Sequence, residues 1–303
     1  MRTLATFAAI ASLLATHTAC KKPAPPADPE FSDALTFTFR AFNGPATDLA
    51  YALRNLETQT YLDMDLTSSS NLDRSLTPEH LTVEDVIGLQ RPDRNLADAI
   101  PVCVGTLSSH PIDEQREIVM LTDQTPVEPY SPNHYIRTFL TDKDCWYDKT
   151  CEYLETHNDL VKDNFLLTIP YEFLKDYRWI DMNLPGTGTL EEGEEPPTVS
   201  DDPRWAYVGR SWTTESASGE SGKNWLHQSY TIEIWVPRDG RGFLRDSGGT
   251  DSSGGGTLRL LSLWSETELG GINVSDDTIA GTTRVGIDDN FDAQEDWLDE
   301  NFP

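Results

Sequence analysis

Five segments between residues 164 and 269 constrain the fold of this 303-residue chain more than any other feature: NFLLTI, YEFLKDYRWIDM, RWAYVGRSWTT, NWLHQSYTIEIWV and GTLRLLSLWSETEL. Each is rich in aromatic and β-branched residues, the types that fit a pleated, half-buried surface. In the fourth, Leu226, Tyr230, Ile232, Ile234 and Val236 fall on one face and His227, Ser229 and Glu233 on the other, the alternation of a strand with one side buried. The connections read as hairpins, so the segments predict an antiparallel meander. Two connections are long. Residues 184–203 are acidic with Pro and Gly, and residues 237–256 are Gly/Ser-rich. Both read as flexible surface insertions. The SGGTDSSGGG stretch lacks the GxxxxGK[ST] spacing and leads into a strand, which makes it a hairpin tip rather than a phosphate cradle.

Upstream of the meander the pattern is mixed. ALTFTFRAF (34–42) alternates Leu35, Phe37 and Phe39 with polar residues and predicts a strand. NGPATDLAYALRNLE places Pro45 at a helix start and Leu49, Leu53 and Leu56 on one face. TPEHLTVEDVIG predicts a second helix, with Thr77 as cap and Gly88 as stop. PVCVGTL, REIVMLT and HYIRTFLTD read as short strands, and residues 151–164 as a helix presenting Cys151, Leu154, Asn158 and Val161. At the other end, Ser275 with Thr278 marks the entry of a long terminal helix, and Asp276 and Asp277 suit the positive end of its dipole. Gly281 and Gly286 within it mark either a close approach to a sheet or a break. The expectation is one α+β domain over residues 32–303, an antiparallel β-meander packed on a long C-terminal helix. A two-layer sandwich without a cavity satisfies the same pattern.

This order of elements, over residues 34–300, resembles the START-like helix-grip fold. That resemblance implies a curved antiparallel sheet around the last helix, with an apolar cavity between them. A lipocalin-like β-barrel with added helices is the alternative. KDYRW, GRSWTTES, QSYTIEIWVP, LRLLSLWSET and GIDDNFDAQEDWL, with the Cys145/Cys151 segment, are similar to uncharacterised lipoproteins of proteobacteria. That likeness implies export and anchoring and supplies no activity.

The N-terminus agrees with export. Residues 4–15, LATFAAIASLLA, form an apolar run of twelve after Arg2, short for a bilayer span and suited to the core of a signal peptide over residues 1–19. Thr18-Ala19-Cys20 resembles the lipobox of bacterial lipoproteins, in which the cysteine is acylated, although His17 stands where an aliphatic residue is usual. An ordinary cleavage site near Ala19 with a free Cys20 is the competing reading. The Pro-rich stretch up to residue 31 suits an extended tether. Lys21 is not the Asp that retains some lipoproteins at the inner membrane, so the resemblance implies the outer membrane. With Cys20 acylated, Cys103, Cys145 and Cys151 remain in an oxidising setting. Cys145 with Cys151 is the leading disulfide and Cys103 a buried thiol. A bridge from Cys103 to either of the others is the alternative.

Charge excludes one class of partner. Lys and Arg total 23 against 51 Asp and Glu, a formal net charge of -28, which repels nucleic acid. The expected partners are a membrane, through the lipid anchor, and a hydrophobic ligand. The five histidines after the leader show no metal spacing, no GxSxG elbow is present, and no cofactor or catalytic set is assigned. The candidate ligand contacts are Arg178, Arg210 and Arg259, each flanked by aromatic or aliphatic residues, with Glu233 and Glu266 from neighbouring strands. Pointed inward they would pair beside a cavity, because isolated buried charge is prohibitive; pointed outward they would form cross-strand salt bridges. A cavity enzyme of the cyclase or hydrolase kind would need a protonatable pair, for which Glu233 and His227 are the candidates. Seven of the eight tryptophans lie between residues 146 and 264, as core or as cavity lining.

Overall fold

A computed structural model describes residues 30–163, 168–185, 203–238, 255–270 and 274–303. The expected leader, Cys20 and tether up to residue 29 lie outside the described residues, as do 186–202 and 239–254 of the two expected insertions. The described chain runs α1 (Phe31–Arg40), α2 (Ala46–Asp63), β1 (Ser75–Leu76), β2 (Ile100–Ser108), α3 (Ile112–Met120), β3 (Tyr135–Phe139), α4 (Lys143–Tyr147), β4 (Tyr153–Asp163), β5 (Thr168–Asp181), β6 (Trp205–Trp212), β7 (Ala217–Ser218), β8 (Asn224–Pro237), β9 (Thr257–Leu269) and α5 (Asp276–Asn301).

The nine strands form one sheet in the order β1-β2-β9-β8-β6-β5-β4-β3, with β7 alongside β8. Every pairing is antiparallel. The predicted meander is therefore present from β5 to β9, with Thr168 and Ile169 of NFLLTI opening β5 rather than forming a strand of their own, and residues 164–167 outside the described residues; the fold class is α+β with a long C-terminal helix. The end strands β1 and β3 do not pair with each other, so the sheet is open and the lipocalin-like barrel is ruled out.

One face of the sheet is packed by α1 and α2. Leu35, Phe39, Phe42, Leu49, Leu53 and Leu56 meet Ile180, Val208, Ile232, Ile234, Leu260 and Trp264, all buried. Burial of this size is the main stabilising term of such a layer. The opposite face carries α5, whose Ala280, Ile287 and Phe291 pack on Val102 and Val104 of β2. Ser275 caps α5 by accepting from the Thr278 backbone N–H at 3.3 Å, as expected,. The helix is unbroken from Asp276 to Asn301. At Gly286 an added Cβ would lie 3.7 Å from the Tyr130 ring, so this glycine faces a loop rather than a break.

Four local expectations are corrected. Residues 34–40 belong to α1 and 41–42 to the turn after it, not to a strand. Phe31, Ala34, Leu35, Thr38, Phe39 and Phe42 are buried at helical spacing, and the period-2 alternation of Leu35, Phe37 and Phe39 is contained within it. Thr38 Oγ1 donates to the Ala34 carbonyl at 2.7 Å, so the hydroxyl is satisfied inside the helix. REIVMLT belongs to α3, where Ile112, Gln115, Ile118 and Val119 form the buried face. TPEHLTVEDVIG forms turns. Asp85 accepts from the Thr82 N–H and hydroxyl, both at 2.7 Å, offering the backbone a local alternative to helix, and Leu81 and Val86 are buried without one. Residues 153–163 are strand β4, with Leu154, Thr156, Asn158 and Leu160 all buried. The polar Thr156 and Asn158 in that inward row hid its period of two.

Cys145 and Cys151 lie at bridging distance, their Cα atoms 5.2 Å apart, around the fully buried Trp146. Cys103 is a buried free thiol in the core beneath α1 and α2. Burial raises its thiol far above the ordinary value, which keeps it protonated and unreactive,.

Candidate functional site: a cavity between the sheet and the C-terminal helix

The α5-facing side of the sheet is built in two parts. At one end α3 and α4 close it, and Trp146, Tyr177, Trp179, Tyr207 and Trp235 fill the space. Trp146 stacks on Trp179 at 4.9 Å and Tyr207 on Trp235 at 4.4 Å. At the other end the inward side chains are shorter, and α5 spans the gap without filling it. A cavity of about 540 Å³ results, bounded by β4, β5, β6, β8, β9, α5 and the loop through Tyr130. Phe173, Leu226, Leu261, Leu263 and Ile279 make apolar walls, and Ser211, Thr231, Lys175 and Glu233 a polar floor. Val285, 47% exposed on α5, borders the cavity where it meets solvent.

The floor has a defined origin. β5 sends Lys175 to the cavity side, and the strand pairing places Lys175 opposite Ser211 of β6, two strands from Glu233 of β8. Between them lies Gly209. An added Cβ there would sit 3.1 Å from the Tyr177 ring and 3.3 Å from Lys175 Cε, so the glycine lets both side chains cross the sheet toward β8. The Lys175 ammonium donates to Glu233. Burial works against the charge on Lys175, but Glu233 and Tyr177 together outweigh it and hold the ammonium above its ordinary value,. Ser211 and Thr231 join their hydroxyls at 2.6 Å. On the far wall, burial pushes the Glu128 carboxyl upward against the opposing pull of Lys162 and Lys175. Tyr130 donates its hydroxyl to Asp289 of α5, a contact that pushes the phenol up to about 12 and ties the loop to the helix.

Of the five candidate ligand contacts, Glu233 lines the cavity. Arg259 lies behind it, bordering a void of about 20 Å³ shared with Lys175, Glu233 and Arg137. The other three residues are on the opposite face. Arg178 donates to Glu152 Oε1 at 2.6 Å and to the carbonyls of Phe42 and Gly44, pinning the α1–α2 turn. Arg210 lies 4.6 Å over the Phe42 ring, with Asp176 3.6 Å away. Glu266 pairs with Arg94 and accepts from Gln228 at 2.8 Å. These three hold the helical layer and its loops to the sheet.

His227 is not brought to Glu233. A bulge falls between Leu226 and Gln228, which puts Leu226 on the cavity side with Ser229 and Glu233 and leaves His227 stacked on Trp225, 3.2 Å from Glu268. The sequence pattern puts Leu226 and Glu233 on opposite faces; the extra residue of the bulge reverses that parity. The acid–base pair required by the enzyme reading is absent at these positions. No group of three metal-ligating side chains occurs among the described residues. Sequence reasoning missed Lys175, Arg137 and Glu128. Lys175 stands in an aromatic-rich strand, YEFLKDYRW, the same kind of neighbourhood that singles out the arginines, and its inward parity was the available signal.

No family model and no curated protein matches the chain. Solved structures similar to it include a protein of Thermus thermophilus, at 11% identity and TM-score 0.36, covering 67% of this chain and 99% of that one. Another is a STAR-related lipid transfer protein fragment from Xanthomonas axonopodis, at 9% identity and TM-score 0.36, covering 66% and 86%. The lipid transfer and protein localization domain of human StarD13 is similar at 10% identity and TM-score 0.34, covering 80% and 93%. The chain's own topology and cavity define its class: an open antiparallel α+β protein with an internal cavity under its last helix.

Proposed function

We propose that this protein is an exported envelope protein, tethered through an acylated Cys20 at the outer membrane, that binds a hydrophobic small molecule or lipid between the sheet and α5. The cavity supports the binding reading. Its volume of about 540 Å³ is in the range of small-molecule sites, and it has the make-up of such sites, apolar walls with a few convergent polar groups. The anchor reading is supported by the apolar run, Thr18-Ala19-Cys20 and the Pro-rich stretch that follows.

Fluorescence titration with an environment-sensitive apolar probe tests the binding. The wild type should bind saturably, and Leu263→Trp, which pushes a larger ring into the cavity, should weaken binding by at least about tenfold, the cost of roughly 1.4 kcal/mol. Unchanged binding in a folded Leu263→Trp protein would place the probe elsewhere and overturn the reading. For the anchor, Cys20→Ala should release the protein from the membrane fraction; unchanged fractionation would overturn the anchor alone.

A further inference from the structure

The cavity and the small void behind it are lined by more cations than carboxylates, in a chain whose formal net charge is -28. Arg137, Lys162, Lys175 and Arg259 stand against Glu128 and Glu233 on the walls of the cavity and of the small void behind it. Glu128 lies within electrostatic reach of Lys162 and Lys175. Arg137 is held by neutral acceptors, Asn158 Oδ1 at 3.0 Å and the Val119 carbonyl at 2.8 Å. Glu233 is engaged by Lys175.

Arg259 is then left without a carboxylate. It is 1% exposed. Its Nη2 donates to Gln294 and its guanidinium lies 4.6 Å over the Phe291 ring, but Nε and Nη1 have no hydrogen-bond partner among the described residues. The other carboxylate acting on it from α5, Glu295, already accepts from the Ser109 N–H and hydroxyl at 3.0 and 3.1 Å. A buried cation with unsatisfied donors is costly and calls for an anion. The void beside it, about 20 Å³, is the size of a water, too small for a ligand's head group. It meets the main cavity at Glu128, Lys175, Glu233 and Leu261, so the Lys175–Glu233 ion pair, with Glu128 and Leu261 beside it, is the partition between ligand space and Arg259. The register places Glu233 opposite Leu261 and Trp235 opposite Arg259, so Glu233 is the diagonal neighbour of Arg259, within reach of a long side chain.

We propose that the cavity is built for an amphipathic monoanion, a long-chain carboxylate, whose head takes Lys175 and releases Glu233 to the free donors of Arg259. One carboxylate shared unequally between two cations becomes two ion pairs, with the apolar chain along Phe173, Leu261 and Leu263. This rests on the binding reading above and specifies its ligand.

The test is a fluorescence titration of the protein with cis-parinaric acid and with its methyl ester, which has the same chain without the charge. The wild type should bind the acid at least about tenfold more tightly than the ester. In Arg259→Met the acid should lose about that factor and the ester should be unchanged. Near-UV circular dichroism checks that the variant is folded; removing an unpaired buried charge should leave it so. Equal affinity for acid and ester in the wild type, or an unchanged preference in folded Arg259→Met, would overturn the proposal while leaving the cavity reading intact. Binding of neither probe would overturn both.

Discussion

The two ends of the α5-facing side of the sheet are made from the same strands and treated in opposite ways. At one end β5, β6 and β8 contribute Tyr177, Trp179, Tyr207 and Trp235, and α4 drives Trp146 into them, leaving only the void of about 20 Å³ at the edge of the cluster. A few residues along the same strands, the inward positions are Phe173, Lys175, Ser211, Thr231 and Glu233, and the space stays open. The large rings at one end pack α3 and α4 against the sheet, and at the other the inward side chains leave a gap beneath α5, which is seated on β2. Within one face, stability and available volume are thus assigned to different ends, as expected where a binding site rests on a rigid neighbour.

The largest expected effect breaks the packed end. Trp146→Ala removes a fully buried ring and should cost about 3–5 kcal/mol in chemical denaturation. Leu263→Ala at the open end, where the side chain already borders empty space, should cost less than about 2 kcal/mol. Equal costs would mean that the two ends are packed alike.

A smaller effect contrasts neighbouring residues that β5 sends to opposite faces. Lys175 enters the cavity and Asp176 faces the helical layer. Burial pushes the Asp176 carboxyl up to about 6, against the opposing pull of Arg210. The folded state therefore holds that proton more tightly than the unfolded state, whose aspartate titrates near 3.8. Asp176 stabilises the fold least at high pH: its contribution falls as pH rises from about 4 to about 6 and then levels, by at most about 3 kcal/mol. Asp176→Asn should flatten the stability profile in that window relative to the wild type. A profile parallel to the wild type's would show that the carboxyl titrates normally.

The sequence made the meander and α5 readable because their burial follows apolar side chains. β4 was lost because its inward row alternates Leu154 and Leu160 with Thr156 and Asn158. Its polar members bond within the sheet, as in Thr156 Oγ1 donating to the Lys175 carbonyl at 2.8 Å, and leave no apolar periodicity to read. α1 was lost because Leu35, Phe37 and Phe39 satisfy a period of two inside a helical stripe. Glu233 and Arg259 were legible as charges that need partners. That Arg178, Arg210 and Glu266 serve the opposite face followed from strand parity and from partners distant in sequence, such as Phe42, Asp176 and Arg94. The displacement of His227 depended on a bulge that composition does not announce.

Methyl-resolved NMR tests the central claim most directly, because it reports both faces of the sheet at once. With the leucine, isoleucine and valine methyls labelled, titration with cis-parinaric acid should shift Leu226, Leu261, Leu263, Ile279 and Ile287 around the cavity and leave Val208, Ile232 and Ile234 under α1 and α2 unmoved. Shifts confined to the second group, or spread evenly over both, would contradict a ligand site between the sheet and α5.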